Sequence, residues 1–561
     1  MLINPATGPA LQGPRDSTRF RRISVSQVGF AGVILLFLIY AAIFIYRTSF
    51  VVDGQRYFSL FDDAMVSMQY ARNLANGYGL VWNAGGARVE GFTNPLWVVL
   101  MSLVHLLPIG ASKTSLVVQI VAAGFLAANL YFVRRISLAI SGGSEIVSLG
   151  AVVLTATYLP LNFWGLEGME VSALALIVSI ALCQALLSLA ERKFPIFLYL
   201  VLGASIWIRP DMVVPFVAIM LFLAVADAPN RRRHLLWGGL TLGGFCAAQT
   251  LFRIWYFGDP LPNTYYLKLA GYPLFLRMTR GVEVLVNFAW QSNILLFAVP
   301  FALAIRRDLR VLLLLWVFIA QLLYSAYVGG DAWEFWGGSN RYISIAMPAF
   351  FVLLACGLLQ VSHYMVEALA SMWGSVGRKS PAALRGACFF LLIAISILSF
   401  NCIHGSGALA ELFLIKPPLH SGQDGENNSD VREALALREL TTPQASFLVA
   451  RAGTIPYFSG RVGVDLLGKN DIYIAHQPMR RERGGIHALF EFRPGHMKYD
   501  YHYSVETLRP DLVVQLWQHQ EEVRPYLAEN YTGVLVDGHC VYFRRNSGNV
   551  LWEKLPPDRC D

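Results

Sequence analysis

The sequence predicts an α-helical protein that crosses a membrane many times and carries a water-soluble mixed α/β domain at its C-terminal end. Composition is the first reason: 55% of the 561 residues are apolar and only 15% are charged, whereas soluble proteins have about 25% charged residues. The second reason is that the apolar residues come in long blocks, without the alternation typical of strands or the stripes of surface helices. A soluble fold of this composition would expose too much apolar surface to water.

The apolar block at 29–47 contains no charged residue before Arg47. About 20 such residues cross the core of a bilayer as a helix, in which every backbone N–H and C=O is satisfied within its own segment. The block is too long for a signal peptide, and no small-residue cleavage site follows it. It is the first of about twelve candidate spans, the others being at 94–109, 115–133, 146–163, 171–190, 196–208, 212–226, 235–257, 283–305, 311–328, 342–362 and 384–403.

The net charge of +8 does not indicate nucleic-acid binding, because the basic residues are concentrated beside and between the apolar blocks. Short basic loops mark the cytoplasmic side of a membrane protein. The N-terminus is therefore predicted to be cytoplasmic, and residues 48–93 and the C-terminal domain to lie outside. Twelve full spans would return the C-terminus to the cytoplasm, so one short segment (94–109, 196–208 or 212–226) is expected to be half-inserted, or two to merge. The basic groups are Arg19, Arg21, Arg22, Arg231, Arg232, Arg233, Arg306, Arg307, Arg310, Arg378, Lys379 and Arg385.

Three parts follow from this pattern: a basic cytoplasmic tail at 1–28, a transmembrane domain at 29–404 and an extracytoplasmic domain at 405–561. Of the seven cysteines, only Cys540 and Cys560 fall in the last part, where a disulfide could join them. No cysteine or histidine spacing predicts a zinc site. The last part is predicted to contain a helix at 431–440, strands at 446–450, 462–467 and 511–516, and a hairpin at 533–545 around Asp537–Gly538.

Polar and charged groups of the membrane region gather at the predicted outer ends of the spans. Such groups are costly at this depth unless they line a wet cavity or pair with one another. We therefore expect a site at the outer membrane surface, acting on a substrate that arrives in the membrane. The group comprises Asp62, Asp63, Arg72, Arg88, Glu90, Glu167, Glu170, Arg209, Asp211, Asp259, Asn263, Lys268, Asp331 and Arg341.

The first predicted outer loop contains two adjacent carboxylates, Asp62 and Asp63. Either could cap a helix that ends near Gly77. The apolar residues of this helix follow helical spacing, which is typical of a helix lying flat on a membrane. Capping needs only one carboxylate, so we expect at least one of the pair to have a chemical role.

Two further loops present candidate binding groups. GDPLPNTYYLK at 258–268 presents Asn263 and Lys268, although a lone lysine at an interface often only reaches toward water. GGDAWEFWGGSNRY at 329–342 surrounds Asp331 with glycines and aromatic residues, and Arg341 opens the next helix. A guanidinium at that depth suits a lipid phosphate. Its aromatic residues, Trp333 and Trp336 among them, could equally belong to an interfacial belt.

These motifs together resemble a known family. DDAMVSMQYARNLANGYGLVWNAGGARVEGFTNPLW at 62–97 is followed by GLEGME, RPD, GDPLPNTYYLK, the 329–342 loop and AGTIPYFSGRVGVDLLGKND at 452–471. The series, which runs from about residue 50 to the end of the chain, resembles the bacterial GT-C glycosyltransferases. The relatives it resembles most are the terminal β-(1→2)-arabinofuranosyltransferases of actinobacterial cell walls and their uncharacterised proteobacterial cousins.

The resemblance implies about 11–13 transmembrane helices in the bacterial cytoplasmic membrane, with an active site on the outer face. It implies a polyprenyl-phosphate sugar donor, a cell-envelope glycan or glycolipid acceptor, and no cofactor or assigned metal ion. The family's usual base falls on Asp62 and Asp63. Nothing in the residues identifies a pentose, so arabinofuranose is an expectation from the resemblance alone.

The predicted mechanism is a single displacement with inversion at the anomeric carbon. Asp62 or Asp63 would remove the acceptor proton, and Lys268 and Arg341 would stabilise the departing phosphate. A membrane ligase that transfers a larger lipid-linked group would share this architecture. A flippase or transporter is disfavoured because the spans largely lack ionisable residues, and a scaffold would leave the clustered carboxylates unexplained. The remaining predicted sugar- or acceptor-binding residues are Arg72, Arg88, Glu90, Asn263 and Asp331.

Overall fold

A computed structural model describes residues 25–332, 334, 340–373, 381–401, 406–419, 421–481 and 484–560. Most of the basic tail, Trp333, Trp336 and most of the basic loop at 374–385 lie outside these residues. The helices are α1 Val25–Thr48, α2 Asp62–Ala75, α3 Pro95–His105, α4 Ala111–Ile140, α5 Glu145–Ala156, α6 Leu159–Leu166, α7 Val171–Glu191, α8 Ile196–Ile208, α9 Val213–Ala226, α10 Arg231–Phe257, α11 Asn263–Lys268, α12 Leu274–Gln291, α13 Ile294–Ala302, α14 Leu309–Val328, α15 Arg341–Ser344, α16 Met347–Trp373, α17 Pro381–Asn401, α18 Ser406–Leu412, α19 Glu426–Leu440, α20 Thr454–Ser459, α21 Ile472–His476 and α22 Arg524–Asn530. The strands are β1 Phe50–Val52, β2 Gln55–Tyr57, β3 Ser446–Val449, β4 Val462–Asp465, β5 Leu512–Val513, β6 Tyr531–Val536 and β7 His539–Arg544.

Long apolar helices form the N-terminal bundle of a multi-pass membrane protein. Seven helices among the described residues are long and apolar enough to cross a membrane: α1, α4, α7, α10, α14, α16 and α17. Two bent pairs, α5–α6 and α12–α13, raise this number to nine if each pair is one span. Three shorter apolar helices are α3, α8 and Pro210–Ala226. They correspond to the three short segments, one of which the sequence predicts not to cross the membrane fully.

The two bent pairs correct the prediction of single straight spans at 146–163 and 283–305. The first pair bends by 53°, where Pro160 begins a new helix because proline has no N–H to continue the old one. The second bends by 96° at Asn293, which adopts a positive φ of 66°. The Asn293 side chain accepts hydrogen bonds from the backbone N–H groups of Leu295 and Leu296, so that it caps α13 as a separate helix.

The C-terminal domain is built on a five-stranded mixed sheet, with the strand order β4-β3-β5-β7-β6. Strand β3 pairs in parallel with β4 and β5, whereas β7 pairs antiparallel with β5 and β6. The predicted helix, strands and hairpin are all present, although β5 has only two residues. Cys540 and Cys560, for which the sequence leaves a disulfide possible, are joined by one in the structure. The division of the chain at residue 404 stays a prediction.

The segment between α1 and α3 is buried between the bundle and the C-terminal domain. Nine of the fourteen residues of α2 are buried, and α2 packs against α3 of the bundle and α20 of the domain. The prediction that this helix lies flat on a membrane is therefore wrong, because protein covers both of its sides. One continuous apolar core runs from the bundle through α2 into the domain.

Reciprocal hydrogen bonds fix the domain on this segment. Asn83 donates from Nδ2 to the Gly463 carbonyl at 2.9 Å and accepts from the Gly463 N–H at 3.0 Å. Beside them, the Trp82 indole donates to the Ala452 carbonyl at 3.1 Å. A Cβ on Gly463 would lie 2.4 Å from the Trp82 ring, closer than a rigid buried ring tolerates.

We therefore expect Gly463→Ala to destabilise the docked domain by about 2 kcal/mol, the usual cost of overpacking. The measurement is thermal and denaturant unfolding in detergent, with limited proteolysis to detect detachment of the domain. Gly548→Ala is the control, because a Cβ at Gly548 meets no atom within 4 Å. Equal stability of the two variants would contradict this account of the docking.

Candidate active site

Two cavities meet where the C-terminal domain rests on the bundle. The first, the bundle cavity, has a volume of about 190 Å³ and is lined by α2, α11, α15, the end of α14 and nearby loops. The second, the domain cavity, has a volume of about 450 Å³ and is lined mostly by the C-terminal domain, including Arg451, His496 and Trp517. The residues that line both cavities are Asp63, Lys268, Arg341, Lys469 and Pro494.

The wall shared by the two cavities contains a set of charged side chains, the charge cluster, made of Asp63, Lys268, Asp331, Arg341 and Lys469. Arg341 donates from Nη1 to Asp63 Oδ2 at 3.0 Å, and the Lys469 ammonium donates to Asp63 Oδ1. Asp331 binds Arg341 in a bidentate manner, accepting from Nε at 2.6 Å and from Nη2 at 2.7 Å. Lys268 interacts with Asp63 through its charge, and its ammonium donates no hydrogen bond to any described residue.

The three cations keep Asp63 ionised. Burial alone would raise the pKa of Asp63, but the charges of Lys469, Arg341 and Lys268 outweigh burial and hold this pKa well below its usual range. Burial lowers the pKa of Lys268 to about 8, with the Asp63 carboxylate opposing this shift. Asp63 also lies in the first turn of α2, where the positive end of the helix dipole favours a carboxylate. The cluster therefore combines three cations with two carboxylates, so its net charge is positive.

Asp62 has a different role from its neighbour. Neither aspartate caps α2, since Phe61 occupies the N-cap position and α2 has no side-chain cap; the prediction of such a cap is wrong. Asp62 Oδ1 instead accepts hydrogen bonds from the backbone N–H groups of Gly453 at 3.2 Å and Thr454 at 2.9 Å. It therefore caps α20 of the C-terminal domain and joins the domain to α2.

The other predicted site residues hold the loops and domains in place rather than facing the two cavities. Asn263 donates to the carbonyls of Gly468, Lys469 and Asp471 at 3.0, 3.0 and 3.2 Å. Because these carbonyls belong to the loop that carries Lys469, Asn263 positions that lysine, much as Asp331 positions Arg341. Neither residue is itself among those that line the two cavities.

Glu90, Arg72 and Arg88 are not brought to the charge cluster. Glu90 is buried and accepts from Nε of Arg253 at 2.8 and 3.1 Å. Arg72 donates to the Tyr457 carbonyl of the C-terminal domain, and the Arg88 guanidinium lies 4.6 Å from the centre of the Tyr256 ring. These contacts place the three residues in the packing between the first loop, α10 and the domain.

Sequence reasoning missed three residues of the shared site, Lys469, His496 and Trp517. Lys469 is part of the motif at 452–471, but the sequence separates it from Asp63 by 406 positions, so nothing in its neighbourhood indicates an ion pair. The Trp517 indole donates to the His496 carbonyl at 3.3 Å, and both rings face the domain cavity. No pattern in the sequence distinguishes these two aromatic residues from others in the domain.

A second polar group, Asn94, Glu170, Arg209 and Asp211, lines the bundle cavity. Arg209 donates to Asp211 at 2.6 and 2.8 Å and to Glu170 at 3.3 Å. Asn94 donates to Glu170 at 2.9 Å. The bundle cavity thus combines the cations of the charge cluster with a separate set of hydrogen-bonding groups.

Comparisons with known proteins support the GT-C fold. The described architecture is similar to AglB, the oligosaccharyltransferase of Archaeoglobus fulgidus, solved with an inhibitory peptide and a dolichol-phosphate (TM-score 0.53, 12% identity, 93% of this chain and 75% of AglB covered). It is also similar to apo ArnT of Cupriavidus metallidurans (TM-score 0.51, 14% identity, 91% of this chain and 98% of ArnT). At such identities the likeness shows the fold: an α-helical, multi-pass GT-C bundle with a C-terminal mixed α/β domain.

Comparison of the sequence with protein families finds a match in the C-terminal domain. A protein-family model described as "Domain of unknown function (DUF8728)" matches residues 423–548, which cover most of the C-terminal sheet. None of the curated proteins matches the sequence. The expected relationship to arabinofuranosyltransferases stays a prediction.

The capping role of Asp62 can be tested by measuring stability. Asp62→Ala removes the cap of α20 and should lower the free energy of unfolding by about 1 kcal/mol. Asp62→Asn keeps a capping oxygen, and asparagine caps as well as aspartate, so this variant should retain most of the stability. Unfolding in detergent measures both. An equal loss of unfolding free energy in the two variants would mean that the charge of Asp62, rather than its hydrogen bonds to α20, stabilises the docked domain.

Proposed function

We propose that the chain is an inverting glycosyltransferase that moves one sugar from a polyprenyl-phosphate donor to a glycan or glycolipid acceptor of the cell envelope. The observation that carries the proposal is the charge cluster: Lys268, Arg341 and Lys469 surround the Asp63 carboxylate in the wall between two cavities. A transferase of this kind needs a cation site for phosphate, a base, and separate access for two substrates. The likeness to AglB, which was solved with a dolichol-phosphate, agrees with a lipid-phosphate donor.

In this proposal the bundle cavity holds the donor. Lys268 and Arg341 bind the phosphate. Glu170 and Asp211 accept hydrogen bonds from the sugar hydroxyls, and the Asn94 amide can donate to them or accept from them. The cavity volume of about 190 Å³ is below the range of pockets for drug-sized ligands, which supports the transfer of one sugar. Arabinofuranose as that sugar rests on the motif resemblance alone.

The domain cavity holds the acceptor. His496 and Trp517 offer aromatic faces, against which the apolar face of a sugar ring packs. Asp63 lies between the cavities and acts as the general base that removes the acceptor proton. The acceptor then attacks the anomeric carbon from the side opposite the phosphate, which gives inversion. Lys268 and Arg341 stabilise the charge that develops on the departing phosphate.

The proposed location is the bacterial cytoplasmic membrane, with the charge cluster and the C-terminal domain on its outer face and the N-terminus in the cytoplasm. The basic residues between the apolar blocks support this orientation. Arg306 and Arg307 lie between α13 and α14, Arg310 lies in the first turn of α14, and Arg231–Arg233 open α10.

A second candidate is a ligase that transfers a larger lipid-linked group. The likeness to AglB, an oligosaccharyltransferase, favours it. The two candidates differ in the donor, because a ligase requires a preassembled oligosaccharide on lipid, whereas the proposed enzyme uses a lipid-linked monosaccharide.

The first test of the proposal is transfer from a panel of polyprenyl-phosphate monosaccharides to an envelope glycan. Asp63→Asn should lower kcat by about a thousandfold, since general-base catalysis contributes in this range, while donor binding is retained. Asp62→Asn is the matched control and should keep most of the activity. Full activity of Asp63→Asn would exclude Asp63 as the base, and transfer only from oligosaccharide donors would favour the ligase.

A separate test concerns the acceptor cavity. Trp517→Ala should raise the KM for the acceptor about tenfold, because aromatic packing of this kind contributes about 1–3 kcal/mol per ring in comparable stacking sites. The KM for the donor should stay unchanged, since Trp517 lines only the domain cavity. Trp552→Ala serves as the control, because Trp552 lies outside the walls of both cavities. A rise in the donor KM instead would reverse the assignment of the two cavities.

A further inference from the structure

Asp63 occupies the cations that a donor phosphate needs. Both of its carboxylate oxygens are engaged, one by Arg341 and the other by Lys469. A phosphate placed between the same cations would compete with this carboxylate for them. A phosphate bound by Arg341 and Lys469 would therefore replace the Asp63 carboxylate as their partner.

The two carboxylates of the charge cluster differ in how firmly they are held. Asp331 accepts two hydrogen bonds from Arg341, of 2.6 and 2.7 Å. The Asp331 side chain is only 3% exposed. The Asp63 side chain is 20% exposed and lines both cavities. It accepts only one hydrogen bond from Arg341 and one from Lys469. Arg341 can thus exchange Asp63 for another anion without losing Asp331.

Hydrogen bonds fix the backbone of the loop that carries Lys469. Its backbone carbonyl accepts from Asn263, and the next residue, Asn470, donates from its backbone N–H to Asp465 at 2.7 Å. Asp465 also accepts from the backbone N–H groups of Leu467 and Gly468 at 3.1 and 3.2 Å. The loop backbone is therefore fixed, and among the described residues the Lys469 ammonium is held in the site only by its contact with Asp63.

We propose that Arg341 and Lys469 change partner when the donor phosphate binds, releasing Asp63 and holding the phosphate as it departs, so that Lys469 is a catalytic residue supplied by the C-terminal domain. The inference rests on the proposed function and deepens it. It explains how a carboxylate held by cations serves as a base: the donor phosphate first draws the cations away from it.

The charges and bonds of this step balance. Three cations face two carboxylates and the singly charged phosphodiester of the donor, so the loaded site is neutral. The acceptor oxygen forms a bond to the anomeric carbon, the bond from that carbon to the phosphate oxygen breaks, and its electron pair stays on the phosphate, which becomes doubly charged. The acceptor proton moves to Asp63, whose negative charge disappears. The site is neutral after the step as it was before.

Binding of the product phosphate tests the exchange without any turnover. The probe is geranyl phosphate at pH 8, where a monoester is a dianion because its second pKa is about 6. Asp63→Asn imitates the protonated base and should bind the probe about tenfold more tightly than wild type, since it removes a negative charge beside the phosphate. Lys469→Gln should bind it about tenfold more weakly for the opposite reason. Unchanged or weaker binding by a correctly folded Asp63→Asn would overturn the proposal.

Matched surface variants control for net charge. Asp424→Asn and Lys554→Gln change the same charges at exposed positions outside both cavity walls and should bind the probe as wild type does. Lys469→Arg keeps the cation and should restore most of the affinity lost in Lys469→Gln, whereas a merely structural role of Lys469 would leave the affinities of these two variants equal and contradict the proposal.

Kinetics give an independent readout of the same exchange. Lys469→Gln should lower kcat by about a hundredfold, the usual effect of losing one group that stabilises transition-state charge, with a smaller change in the donor KM. A purely KM effect would contradict a role in the transfer step. The proposed function is judged separately, by transfer activity of the wild type: transfer without tighter binding of geranyl phosphate to Asp63→Asn would leave the function standing and remove only the exchange.

Discussion

The docking of the C-terminal domain on the segment between α1 and α3 determines where every charged group of the site lies. Helix α2 is enclosed by bundle and domain, and the paired hydrogen bonds of Asn83 with Gly463 fix their separation. This contact brings Lys469 to Asp63 and closes the domain cavity. Without it, the bundle would contain two cations and two carboxylates at an open surface rather than a site between two cavities.

Collecting three cations in a half-buried wall is costly, because each loses water and repels the others. Two carboxylates offset this cost, and they differ in burial: Asp331 is buried, whereas Asp63 is partly exposed. Asp331 is a permanent partner of Arg341, buried behind it. Asp63 is the partner that faces both cavities. The unequal burial matters for the proposed mechanism, since Asp63, and not Asp331, lines the cavities in which a substrate would bind.

Composition and block pattern were sufficient to predict the membrane bundle, its three short helices and the mixed C-terminal domain, because these depend on local sequence. The bends at Pro160 and Asn293 depend on single residues within apolar runs, so hydropathy alone misses them. Asp63, Lys268 and Arg341 were predicted because charges stand out beside apolar spans. Lys469 was not, since its contact with Asp63 depends on how a distant domain docks. The same docking explains why α2 is buried rather than lying on a membrane, and why Glu90 pairs with Arg253.

The adjacent aspartates show what the sequence leaves undecided. Successive residues of a helix point about 100° apart, so neighbours of identical chemistry meet different surroundings. Asp62 is directed at the backbone N–H groups that open α20, and Asp63 at the cations of the cavity wall. The first carboxylate joins the domain to the helix, and the second lies where the joined domain delivers its lysine. The structural role of Asp62 and the proposed chemical role of Asp63 are thus one residue apart, and the cap made by Asp62 contributes to the position in which Lys469 reaches Asp63.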